Sequence, residues 1–194
     1  MLVYYDFETT GLNQFHENIT EYCFIKERTN EKLSALVNPQ KEIPQIVTKI
    51  TGITQEMVNS APIFQDHLQS ILHFLSTPNK YIYLVAHNGD NFDFIILREQ
   101  LKKLGYNIHN LPYKSIDTLM FAKKLYPNIN KYSLSNLCKQ LGINVLSAHR
   151  AEADTIMVKS LLYYMVNDLA SILGTTQDYL ISNPEDIYNY INGI

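Results

Sequence analysis

"AHNGDNFDF", residues 86–94, decides how this chain folds. It follows the apolar run "YIYLV", residues 81–85, and leads into "IILREQLKKLG", residues 95–105. A short apolar run bounded by turn residues reads as a buried strand, and the periodic run after it reads as a helix closed by Gly105. At about 100° per residue, Asp93 shares a face with Leu97, Leu101 and Leu104. That stripe faces the core, so Asp93 looks inward from the first helical turn. Asn88-Gly89 makes the turn out of the strand. Asp90 precedes the helix and is expected to cap it by accepting from free backbone N–H groups. An acid in the first turn also suits the helix dipole, so dipole and metal-ligand readings both stand for Asp93 at this point.

Upstream, "LVYYDFE" reads as a first strand. "ITEYCFIKE" and "EKLSALVNP" read as two more, with "RTN" turning between them, which predicts an antiparallel meander. "QIVTKITGIT" is a short helix or turn, and "APIFQDHLQSILHFL" is a helix ended by "TPN". Downstream, "YKSID" is a short strand and "DTLMFAKKLY" a helix capped by Asp117. "YSLSNLCKQLG" is a short helix with Ser133 as N-cap and Gly142 beyond its end. "AEADTIMVKSLLYYMVNDL" is the longest helical pattern, and "SNPEDIYNYI" opens a last helix. Strands first, then alternating helices and strands, predict a mixed sheet with helices on both faces.

The bulk properties narrow the function classes. A chain of 194 residues, 46% hydrophobic and 18% charged, suits one domain with a sizeable core. A formal net charge of −3 argues against a broad basic face that grips long nucleic acid by charge alone. Cys23 and Cys138 lie in a strand-like and a helix-like run and are expected to be buried free thiols. The N-terminal "MLVYYDFE" lacks the pattern of a signal peptide, and no segment is expected to span a bilayer. An intracellular, soluble protein with no membrane partner is the expectation.

Four acids point inward. Asp6 and Glu8, two apart on a strand, share the face of Leu2 and Tyr4. Two carboxylates side by side on a buried strand repel each other unless a cation offsets the charge. The alternative is that the strand stops at Asp6 and both acids are solvated. Asp154 lies on the stripe of Val158, Leu161 and Met165, again an acid on an apolar face early in a helix. A buried carboxylate without a partner is costly. His149 stands five residues before Asp154. Few Lys or Arg accompany these acids, so hard-cation ligation explains them better than salt bridging.

Three segments then match one family in order. "DFETTGL" (6–12), "HNGDNFDF" (87–94) and "HRAEAD" (149–154) resemble the exonuclease motifs of the DEDDh class of DnaQ-like 3′-to-5′ exonucleases. "NP" (38–39), "TGIT" (51–54), "DTL" (117–119) and "YSLSNL" (132–137) resemble further family text, so the likeness covers residues 1–167. "VAHNGDNFDF" looks most like the three-prime repair exonucleases, and proofreading subunits of bacterial replicases are the next match. The resemblance implies a ribonuclease H-like α/β fold with a five-stranded mixed sheet and helices on both faces. It also implies one exonuclease domain over 1–194, with a helical segment at 168–194 after the motif-bearing core.

By matching position, Asp6, Glu8, Asp93 and Asp154 would be the catalytic metal acids and His149 the general base. Two Mg²⁺ ions per site are implied, with Mn²⁺ able to substitute. Glu8, Thr9, Leu12, Asn88, Phe92 and His149 would contact substrate, with Leu12 wedged beside the last base. Phe92 stands where such enzymes often have Tyr, so its ring can pack but cannot donate a phenolic hydrogen bond. DNA 3′ ends, single-stranded or frayed, are the expected substrate, and RNA is the alternative because related families hydrolyse it. A homodimer is implied by the repair relatives and a polymerase partner by the proofreading ones. A non-catalytic nucleic-acid-binding module on the same fold is disfavoured because every metal acid is present. Lys102, Lys103, Lys123, Lys124, Lys131 and Arg150 are candidate phosphate contacts, Arg150 foremost for its place beside His149.

Overall fold

The computed structural model describes residues 1–76, 81–146 and 149–194. Its sheet runs β3-β2-β1-β4-β5, built from β1 (Leu2–Thr9), β2 (Ile19–Lys26), β3 (Lys32–Leu36), β4 (Ile82–Ala86) and β5 (Tyr113–Asp117). β1, β2 and β3 form the expected antiparallel meander, and β4 and β5 add in parallel on the other side of β1. "TPN", predicted to end a helix, falls outside the described residues.

The helices are α1 (Gln45–Thr51), α2 (Gln55–Asn59), α3 (Phe64–Leu75), α4 (Asp93–Lys103), α5 (Thr118–Leu125), α6 (Leu134–Gln140), α7 (Ala151–Leu173), α8 (Gln177–Ser182) and α9 (Pro184–Asn192). The sequence reading lacks α2 and α8, which have five and six residues, too few for a periodicity to register. Both start at a threonine, Thr54 and Thr176, whose side chain accepts a backbone N–H.

Alternation along β1 sorts its side chains into two cores. Val3, Tyr5 and Phe7 join Phe24, Ile71, Ile96 and Leu97 on the face covered by α3 and α4. Leu2 and Tyr4 join Phe121, Leu137, Val158, Leu161 and Met165 on the face covered by α5, α6 and α7. Each fully buried side chain of this size contributes on the order of 1.5–3 kcal/mol, so both faces of β1 are firmly held. Asp6 and Glu8 follow Leu2 and Tyr4 in the alternation, which turns them toward α7.

Two expectations need correction. By length and composition α7 could cross a membrane, contrary to the expectation that no segment could. Here its apolar side is occupied by the sheet, with Val158, Leu161, Leu162 and Met165 fully buried. Asp90 does not cap α4. It lies in a single 3-10 turn, Gly89–Asn91, and its carboxylate accepts from the Ser115 hydroxyl. The α4 N-cap is Phe92, whose side chain has no polar atom to offer.

Candidate active site

β1 outruns β4. The last β1–β4 pair is Tyr4↔Val85, so the backbone beyond it on that side lacks a strand partner. Asp93 takes up the slack. It is the first residue of α4, 4% exposed, and its Oδ1 accepts the Phe7 N–H at 3.1 Å. The 3-10 turn brings the chain round tightly enough for this. Asn88 holds φ 60°, a left-handed conformation that Asn tolerates. Gly89 is required for space: a Cβ there would lie 2.6 Å from the Ala86 Cβ and 3.1 Å from the Tyr5 hydroxyl. The Asn88 N–H is anchored by Asp117 Oδ1 at 2.9 Å, and Asp117 also caps α5 through Leu119 N–H at 2.8 Å. His87 is half-buried between Thr118 Oγ1 (3.0 Å) and the Tyr132 carbonyl (2.7 Å), and desolvation lowers its pKa to about 4. The histidine of the motif is therefore a neutral structural tie.

Asp6 and Glu8 both belong to β1, so the strand does not stop at Asp6. Asp154, 8% exposed, arrives from the first turn of α7. One carboxylate-type or ring-nitrogen atom from each of Glu8, His149 and Asp154 lies within 4.8 Å of the others. His149 is exposed at the mouth, and its N–H donates to Asp154 Oδ2 at 2.8 Å. It holds φ 67°, a left-handed conformation costing a non-glycine residue about 1 kcal/mol.

The electrostatics follow from crowding. Burial, then the charges of Asp93, Asp154, Glu8 and Glu21, push the Asp6 carboxyl far above the ordinary carboxylate range. Burial, then Asp154 and Glu21, raises Glu8 to about 8. Burial raises Asp93 to about 7 against the opposing Phe7 N–H, and burial raises Asp154. Their shared burial and mutual repulsion would be offset by a bound cation. Their all-oxygen donor set fits a hard divalent ion, and the residues present therefore fit the metals implied by the motifs.

The remaining predicted residues lie around this centre. Thr9 is buried, with its hydroxyl donating to the Gly11 carbonyl at 2.7 Å. Leu12 is 86% exposed on the loop after β1. That loop is fastened to the 3-10 turn by Gln14 Nε2 donating to the Asn91 carbonyl at 2.6 Å. Asn88 Oδ1 accepts from Asn91 Nδ2 at 3.0 Å, so its side chain works within the turn. Phe92 is half-buried against the core on the α4 face. Arg150 grips Glu21, with Nη2 and Nε donating at 2.7 and 3.1 Å. Lys103 bonds Asn18 Oδ1 at 3.1 Å, and Lys124 bonds the Tyr190 carbonyl. Lys102, Lys123 and Lys131 are exposed.

Glu21 is a residue of this centre that the sequence reading missed. It is 8% exposed on β2, directly opposite Glu8 in the register. An acid inside the apolar strand "ITEYCFIK" was the available signal, the strand counterpart of the acid on an apolar helix face that singled out Asp93.

Comparison with known proteins bears on the family and the fold. The family model described as "Exonuclease" matches residues 3–162. A PolC-type DNA polymerase III of Caldanaerobacter subterraneus subsp. tengcongensis is 34% identical over 174 residues, 88% of this chain and 12% of the polymerase. That of Bacillus subtilis is 33% identical over 171 residues, 87% of this chain and 12% of the polymerase. The chain thus spans about an eighth of the length of these curated relatives. Among solved structures, exonuclease X in complex with 5′ overhanging duplex DNA is 29% identical, with a TM-score of 0.66, covering 92% of this chain and 96% of that one. An exonuclease I structure has a TM-score of 0.76 at 19% identity, covering 93% of this chain and 43% of that one, a likeness of fold. With the fold, the motif order and the clustered acids in agreement, the chain belongs to the exonuclease family, as a DnaQ-like 3′-to-5′ exonuclease domain of ribonuclease H-like fold.

Proposed function

We propose that this domain removes nucleotides from DNA 3′ ends, single-stranded or frayed, releasing nucleoside 5′-monophosphates with two bound Mg²⁺ ions. The observation that supports it most is the convergence of Asp6, Glu8, Asp93 and Asp154, with His149 beside them, at the end of β1 that outruns β4. Mn²⁺ is expected to substitute for Mg²⁺. Bound divalent cations supply Lewis acidity at the phosphate and a water acidic enough to deprotonate near neutrality.

The chain's own residues do the rest. Asp6, Glu8, Asp93 and Asp154 would hold the ions, and a bound cation would favour their charged forms against burial and mutual repulsion. His149 is exposed at the mouth, where its ring can take the proton of the attacking water; imidazole is the side chain suited to that transfer near pH 7. Leu12 offers an exposed apolar wedge to the terminal base, with Thr9 at the strand end beneath it. Asn88 and the half-buried Phe92 ring complete the proposed substrate contacts from the facing turn.

The duplex DNA held by exonuclease X, a relative of nearly the same length, supports DNA as substrate. The PolC relatives support a second setting, proofreading beside a polymerase, which co-purification with a polymerase would test. The deciding experiment uses DNA and RNA of one length, labelled at either end, with and without Mg²⁺. Mononucleotide release from 3′-labelled DNA, abolished by EDTA, is expected. Faster cleavage of RNA would make this an exoribonuclease, and 5′-label release would reject the polarity.

A further inference from the structure

We propose that Glu21 is a positioning residue for His149, acting through Arg150 and Ala151. This rests on His149 being the general base of the proposed reaction. Glu21 gives both carboxylate oxygens to the two residues that follow His149. Oε1 accepts from Arg150 Nη2 at 2.7 Å, and Oε2 accepts from Arg150 Nε at 3.1 Å and from Ala151 N–H at 2.9 Å. A two-pronged guanidinium–carboxylate pair fixes direction as well as distance. The third bond ties down a free N–H of the first α7 turn.

Its location makes this a joint between the two halves of the site. Glu21 faces Glu8 across the β1–β2 ladder, and Cys23 and Ile25, further along the same face of β2, pack on Ala151. The start of α7 is thereby fastened to the strand beside the acids. His149 is held from the other side by its N–H to Asp154 Oδ2. The segment carrying it has a left-handed φ of 67° at His149 between these two anchors. Two like charges facing each other across a ladder are unfavourable, and hydrophobic neighbours alone would hold α7 against β2. A glutamate here is explained by what it grips on either side of the Arg150–Ala151 peptide.

The test is a double-mutant cycle on the folded domain with enzyme in excess over a 3′-labelled DNA and Mg²⁺ present, using Glu21→Gln, His149→Ala and the pair. At saturating Mg²⁺, Glu21→Gln is expected to lower the single-turnover rate roughly 10- to 100-fold, the cost of a base displaced by about an ångström, with the half-saturating enzyme concentration unchanged. In the His149→Ala background it is expected to cost nothing further, because it acts through the lost ring. An unimpaired Glu21→Gln, or the same loss in both backgrounds, overturns the proposal while leaving the base assignment intact. Full activity of His149→Ala overturns the base assignment itself. If Glu21→Gln fails to fold, Arg150→Gln enters the same cycle with the same expected outcomes.

Discussion

Asp93 Oδ1 accepts the Phe7 backbone N–H at 3.1 Å, which ties the start of α4 to the strand that carries Asp6 and Glu8. Asp93 thus has a structural bond and a proposed metal role that substitution can separate. In Asp93→Asn the amide oxygen can still accept from Phe7, so the fold is expected to persist while turnover drops by orders of magnitude. Asp90→Asn is expected to stay close to wild type, because an amide oxygen can still accept from Ser115. Nuclease rates and melting temperatures of the two variants check this; equal losses in both would contradict the division of roles.

His149 and Asp154 are joined by a 2.8 Å hydrogen bond, but it uses only the histidine backbone. His149→Ala therefore keeps that bond, and stability should be unchanged while turnover falls by about 10²- to 10⁴-fold. Asp154→Ala removes the acceptor and an acid together, so its turnover should fall at least as far and Mg²⁺ binding should weaken. Calorimetric Mg²⁺ titration beside the nuclease assay distinguishes the two.

The crowded acids make stability without metal depend on pH. Glu8 is raised to about 8 and Asp93 to about 7, so at these two carboxyls the folded protein binds more protons than the unfolded chain above pH 4 or so, while His87, lowered to about 4, works the other way up to its ordinary value of 6.5. The stabilising contribution of the two carboxyls is full below the unfolded carboxylate pKa and is lost as pH rises through the folded values. The slope is at most about 1.4 kcal/mol per pH unit for each group. In EDTA the melting temperature should fall between about pH 6.5, above which His87 no longer offsets the loss, and about 8. Mg²⁺ should flatten that fall, with its largest effect at the alkaline end. A metal-free melting temperature that rises over this window would refute the electrostatic account.

Gly89→Ala adds a methyl 2.6 Å from the Ala86 Cβ. Overpacking of this kind costs about 1–3 kcal/mol, and here the strain falls on the turn that delivers Asp93. A lower denaturation midpoint together with reduced activity is the expected pair of results.

Leu12 is 86% exposed, so Leu12→Ala should change stability by no more than about 0.5 kcal/mol. If the side chain wedges against the terminal base, KM for DNA should rise and activity on duplex ends should suffer most. Unchanged kinetics on single-stranded and duplex substrates would remove Leu12 from the binding site.

Much of this site is legible in one dimension because strands and helices have fixed periods. Alternation puts Asp6 and Glu8 on one face, and the helical count turns Asp93 and Asp154 inward; burial of Asp93 and Asp154 follows. The five-stranded mixed sheet and the antiparallel meander agree with the pattern of runs. The cap assigned to Asp90 fails for a local reason: the chain inserts a 3-10 turn before α4, and that displaces Asp90 toward Ser115. Short helices such as α2 and α8 are too brief for a period to show.

By itself the sequence determined which residue types face inward and in what order the motif-bearing elements come, since both depend on local geometry. Tertiary structure alone decided what those residues meet. That Asp93 binds Phe7, that Glu21 opposes Glu8, and that Arg150 is spent on Glu21 all depend on strand register and helix docking. Register and docking are set by long-range packing between segments as much as 136 residues apart, which no local period encodes.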